Sequence, residues 1–319
     1  MTEKGFFNLD ISPINSFAQN KLIMLTVPTI TPYKGRKDNC SSATKILREA
    51  SKKFDDKKNS WDFDTGSSLK ETISSIIDLG DFSLKNDPER DREELTKILK
   101  TFITQGKKII VLGGDDSVSI PPIFSLEPLK SVHILQIDAH LDWKDQIDQE
   151  KFGRSNVMKR ASEVNWVKGI TQIGLRGLGT SSEKELLDAK KWGVNILTSL
   201  ELLELKVQDV VKTIPKEVSV YISLDLDGIN PSELPSVDSP VPGGPSLSYI
   251  IALIKELGQQ RKIVGVNFVE FSPISDINDL GLNASLRLLT VICSTLAHVS
   301  PQRTALLNKL KRNHKRGNF

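Results

Sequence analysis

Cysteine and histidine are scarce in this chain of 319 residues: two cysteines, Cys40 and Cys293, and four histidines, His133, His140, His298 and His314. Two distant cysteines exclude a disulfide framework and a cysteine-based metal cage. They fit a reducing compartment, so a cytoplasmic location is expected. Four scattered histidines exclude a histidine-rich cage, and oxygen must dominate any metal site. Long hydrophobic runs are missing as well. No stretch of about 18 apolar residues occurs, and the first residues lack a basic start followed by an apolar segment, so neither a membrane span nor an export signal is expected. Charge of one sign is not in excess either: Lys+Arg 43 against Asp+Glu 40 gives +3. That balance provides no drive toward nucleic acid or anionic lipid. The basic tail, residues 308–319, is the local exception and reads as a frayed surface end.

What is present is enough for a large core, with 38% hydrophobic residues. Short, continuously apolar runs recur at 22–27, 108–112, 132–137, 170–175, 219–224 and 262–269. Continuous rather than alternating hydrophobicity is what a strand covered on both faces needs, which points to a parallel sheet. Segments 91–104, 182–192 and 246–257 carry apolar residues at helical spacing, and 43–54 is a further helix in a polar surface region. Strand and helix alternate almost to the end, and no Pro/Gly/Ser-rich linker divides the chain. The expected fold is α/β, three layers around a mainly parallel sheet, in a single domain over 1–319.

The acids stand where such a sheet binds ligands, at the carboxyl ends of its strands. Gly113-Gly114-Asp115-Asp116-Ser117 follows one run, Asp138-Ala139-His140-Leu141-Asp142 another, Asp225-Leu226-Asp227-Gly228 a third, and Glu270 a fourth. Two-residue spacing in an extended segment turns both side chains to one face, roughly 7 Å apart. If the groups converge, their repulsion requires cations. Two divalent ions answer that need, Mn(II) first by ligand type, with Ni(II), Co(II) and Zn(II) left open. Taken singly, a D-x-D reads as a cap or loop acid and GGDDS as a turn into a helix; three such motifs at three strand ends do not. His133 reads as a packed strand residue, and His298 and His314 as surface residues.

With those motifs the chain resembles the ureohydrolase family of arginase, agmatinase and related guanidino hydrolases. Residues 113–117 match its GGDHS, 138–142 its DAHxD, and 223–231 its SxDxDxxDP. Weaker echoes extend the likeness over about 20–300. The resemblance implies a dinuclear, manganese-type centre and hydrolysis of a linear guanidino or amidino compound, a bridging hydroxide attacking the guanidinium carbon. It further implies Asp116, Asp138, His140, Asp142, Asp225 and Asp227 as metal ligands, Asp142 as proton relay, Glu270 as the anion for the guanidinium, and a homo-oligomer, trimer or hexamer.

Three departures stand out. Asp116 replaces a histidine, leaving the ligand set at about −1 against two divalent ions. Arg154 stands near the place of the histidine that arginases use as a proton shuttle; a cation at the mouth would favour a distal carboxylate on the substrate. Asn230 and Asn267 replace acids. Together they leave open a second reading, a metal-poor homologue serving as a structural or regulatory subunit. The deacetylase branch of the superfamily would require a histidine pair that is missing.

Overall fold

In the computed structural model, which describes residues 3–13, 22–31, 33–35 and 37–297, the apolar runs lie side by side. β1 (Leu22–Val27), β4 (Ile76–Asp81), β5 (Lys108–Gly113), β6 (Val132–Ile137), β7 (Val167–Ile173), β8 (Asn195–Leu197), β9 (Ser219–Asp225) and β10 (Lys262–Val269) form one sheet. A short hairpin, β2 (Trp61–Asp62) with β3 (Ser67–Ser68), stands apart. The strand order is β4-β1-β5-β10-β9-β6-β7-β8, and the pairings are parallel.

Successive residues of each strand face opposite layers, so both sets must be apolar. Leu22, Met24, Ile110, Leu112, Ile222 and Phe268 pack beneath α1 (Ala43–Ser51), α2 (Leu69–Ile73), α7 (Val207–Lys212), α8 (Leu247–Gln260) and α9 (Leu280–Ala297). Ile23, Ile109, Val111, Ile134 and Tyr221 pack beneath α3 (Pro88–Thr104), α4 (Ile120–Ser125), α5 (Val157–Ser162) and α6 (Glu183–Trp192). The three-layer arrangement is the expected one. Local signals set the helix ends: Pro88 opens α3 behind the Asp87 cap, and a Ser182–Glu185 capping box starts α6, which stops at left-handed Gly193.

Several elements differ from expectation. Strand β4 is an edge whose apolar run is broken by Asp78, and β8 has three residues, too few to carry a pattern. The helix expected over 43–54 is α-helical to Ser51 and continues as a 3-10 turn, Lys52–Lys57. Helix α9 had no sequence signal singled out for it. Its composition is apolar enough to cross a bilayer, and the apolarity serves the interior: Leu286, Leu289 and Ile292 are fully buried. The tail 308–319, His298 and His314 lie outside the described residues.

One feature of the order positions the site. Strands β5 and β6 follow each other in sequence, yet β10 and β9 lie between them. The sheet therefore reverses its direction of growth here, and the four acid-bearing strand ends become neighbours at its centre.

Candidate metal centre

Each acid is delivered by a turn that its own backbone and side chain stabilise. Asp115 caps the 3-10 turn Asp116–Ser119, accepting from the Ser117 N–H at 3.1 Å and the Thr31 N–H at 2.6 Å. Asp116, next in line, points inward and is buried. Asp138 Oδ1 accepts the His140 N–H at 2.6 Å, and Asp225 Oδ1 accepts the Asp227 N–H at 2.8 Å, so each D-x-(H/D) pair locks its own bend. The two bends are tied together by the Ala139 N–H donating to Asp227 Oδ1 at 3.1 Å. Gly228 permits that closeness: a Cβ there would sit 2.5 Å from the Asp138 nitrogen. Asp142 and Glu270 adopt left-handed backbone, φ 49° and 67°, a cost paid at functional positions in folded chains.

The result is two triads. Asp138, His140 and Asp227 offer ligand atoms within 4.8 Å of one another, as do Asp116, Asp138 and Asp225. Asp138 belongs to both. Asp142 lies outside the triads but close by; Gln136 Nε2 donates to Asp138 Oδ2 at 2.7 Å and to Asp142 Oδ2 at 3.3 Å. Glu270 Oε1 accepts the Asp116 N–H at 3.1 Å.

Electrostatics follow from burial and crowding. Asp116, Asp138 and Asp225 are pushed well above the usual carboxylate range, first by burial and then by one another's charge and that of their acidic neighbours. Asp142 is raised by burial. Glu270 is raised by burial to about 8, the charge of Arg154 relieving part of the shift. For His140, burial is outweighed by its 3.0 Å contact with Asp227, which lifts it to about 9. Asp227, correspondingly, is held low by His140 despite burial. Oδ2 of Asp116 is buried without a hydrogen-bond partner. An unpartnered carboxylate oxygen amid like charges is a donor set suited to hard divalent cations.

Beneath the acids runs a layer of which sequence reasoning singled out only Asn267. Asn267, Ser223, Gln136 and Gln172 occupy one register across β10, β9, β6 and β7, on the same face as Asp225 and Asp138. All four are buried. Gln172 Nε2 donates to Leu141 O at 2.9 Å and also to Gln136 Oε1, so the glutamines hold each other and Gln136 orients the two aspartates. Both side-chain polar atoms of Asn267 lack partners. A polar residue two positions before Asp138 and before Asp225, Gln136 and Ser223, was the available signal.

The remaining expected residues are placed as follows. Arg154 is not at an open mouth: its side chain is 10% exposed, with Nη1 2.8 Å from Asp238 Oδ2 and 3.3 Å from Glu270 Oε1. Arg176 donates to the carbonyls of Gly174, Asp227, Gly228, Ile229 and Val241 and thereby stitches loops together. Trp143 is buried edge-on against Trp192. Asn230 Oδ1 accepts the Ser232 N–H within its own turn. His133 packs in the sheet, 2.9 Å from Thr171 Oγ1.

The fold and site define a class: three-layer α/β/α proteins with a cluster of buried carboxylates, candidate metal ligands, at the sheet's central strand ends. The chain belongs to the arginase family, whose model matches residues 20–297. It is 31% identical over 185 residues to an N(1)-aminopropylagmatine ureohydrolase of Thermus thermophilus, a match spanning 57% of this chain and 59% of that protein. Thus the chain spans about three-fifths of that relative's length. An agmatinase of Blochmanniella floridana is 29% identical over 222 residues, 68% of each chain. Among solved structures, proclavaminate amidino hydrolase from Streptomyces clavuligerus superposes with a TM-score of 0.80, covering 94% of this chain and 99% of that one at 20% identity.

Proposed function

We propose that this chain is a metal-dependent hydrolase of a linear guanidino or amidino compound, releasing urea or an equivalent. The observation that carries the reading is the pair of triads sharing Asp138. Asp116, Asp138 and Asp225 would hold one ion, and Asp138, His140 and Asp227 the other, with Mn(II) the first candidate and Ni(II) or Co(II) next. The two cations, when bound, supply the charge that lowers the pKa of a water near neutral pH, which a resonance-stabilised guanidinium needs because it is a poor electrophile.

The residues divide the remaining work. Glu270, buried at the end of β10, offers an anion to the guanidinium and orients its planar carbon. Asp142, held by Gln136, takes the proton released as water adds and returns it to the leaving amine when the C–N bond breaks. Both cysteines are buried free thiols, in keeping with a cytoplasmic protein. A trimer or hexamer goes with the same reading.

The test is reconstitution of the purified chain with Mn(II), metal analysis, and a urea-release screen across arginine, agmatine, guanidinobutyrate, guanidinopropionate and guanidine. About two ions per chain and release from one of these substrates are expected. Asp138→Asn should drop the content below about one ion and reduce turnover to background, because both triads lose the charge and the second oxygen of their common carboxylate. No bound metal after Mn(II) or Ni(II) loading would turn the reading toward a non-catalytic subunit.

A further inference from the structure

The chain already seats a guanidinium on Glu270, and it is its own. Arg154 Nη1 lies 3.3 Å from both Glu270 oxygens, the contact a guanidino substrate would require. The two partners of Nη1 are unequal. Its bond to Asp238 Oδ2, 2.8 Å, has the length of a good charge-assisted pair, whereas 3.3 Å to Glu270 is loose. Nη2 has a weak bond, 3.4 Å to Ser239 Oγ. The backbone of Arg154 is fixed by its N–H to Thr31 Oγ1 at 3.0 Å. The side chain can thus leave Glu270 without moving its Cα or giving up Asp238.

Two guanidinium groups on one buried carboxylate repel each other, and the loose 3.3 Å contacts make Arg154 the one to yield to an incoming substrate. The displaced fork keeps Asp238 through Nη1 and has further N–H donors to offer, and a largely buried arginine short of acceptors is costly. A substrate carrying an anion at its far end supplies the missing acceptor. One with a distal ammonium adds a like charge instead.

We propose that Arg154 is a resident, displaceable occupant of the guanidinium seat at Glu270 whose freed fork then binds the distal carboxylate of the substrate, so that guanidino or amidino acids are preferred over guanidino amines. This inference rests on the hydrolytic reading above for its substrate class, and its test is chosen to separate the two.

The probes are 4-guanidinobutyrate, agmatine and methylguanidine, which share the reacting group and differ in the distal one. Binding to the metal-loaded full chain is measured by calorimetry alongside kcat/KM. Wild type should favour guanidinobutyrate over agmatine by at least about tenfold. Arg154→Gln should weaken guanidinobutyrate about tenfold or more while tightening methylguanidine several-fold, and Arg154→Lys, which keeps the charge but not the fork, should fall between. A merely structural arginine would shift all probes in one direction. That result, or equal wild-type affinity for agmatine and guanidinobutyrate, overturns the proposal. The wild-type comparison holds even if the variants fail to fold. If the binding pattern appears without turnover, the seat stands and the hydrolytic reading falls; if no probe binds, the proposal falls whatever the turnover.

Discussion

Stripping the metal should make this protein less stable as the solution becomes more alkaline. Glu270 titrates at about 8 in the fold against an ordinary 4.5. Between those values the folded chain holds a proton that the unfolded chain has lost, so stability declines as pH rises. His140, raised from 6.5 to about 9 by Asp227 against the pull of burial, has the same sign: its contribution is complete below 6.5 and fades toward 9. Asp116, Asp138 and Asp225, raised by burial and mutual repulsion, reinforce it. His133 opposes only at lower pH. Burial lowers it to about 4, so its stabilisation grows from pH 4 to 6.5 and is constant above. The clean window is therefore pH 6.5 to 8.5. At about 1.4 kcal/mol per pH unit for each group, Glu270 and His140 each contribute up to about 2 kcal/mol across it. Together that is several degrees of melting temperature. The assay is thermal unfolding of chelator-treated and Mn(II)-reloaded protein over that window. The metal-free melting temperature should fall and the loaded one should not, because bound cations replace the protons. A metal-free melting temperature that is flat or rising with pH would refute the reasoning.

Two further substitutions test parts of the same centre. Asp116→His removes one negative charge from the ligand set, and its pH–rate profile for urea release should lie at lower pH than that of wild type; a wild-type profile no more alkaline than the variant's would count against a ligand role for Asp116. Gln136→Leu keeps the volume but strips the donor from Asp138 and Asp142, and should weaken metal binding by roughly 10–100-fold in a chelator competition. Unchanged affinity there would show that the glutamine layer is packing alone.

The strands that build the centre were legible because each is apolar on both faces, a pattern that only a doubly covered sheet requires. The acids were legible because they follow those runs directly. What stayed hidden depends on register. Gln136, Gln172 and Ser223 are unremarkable within their own strands, and they join Asn267 in a layer only once β10 and β9 are inserted between β5 and β6. Motif position brought Arg154 to the site, but its partners were not readable: Asp238 arrives from a loop 84 residues away in sequence, Glu270 from one 116 away. Helix α9 escaped notice because its buried side exceeds the single stripe that helical periodicity detects.

That insertion also governs the order of assembly. Asp116 reaches Asp138 and Asp225 only when the segment ending at Val269 lies between β5 and β9, completing the sheet centre, whereas Asp138, His140 and Asp227 need only the directly paired β6 and β9. A nascent chain that has released everything up to residue 225 still lacks this keystone. The triad that contains Asp116 is therefore a property of the finished sheet centre rather than of any one strand pair.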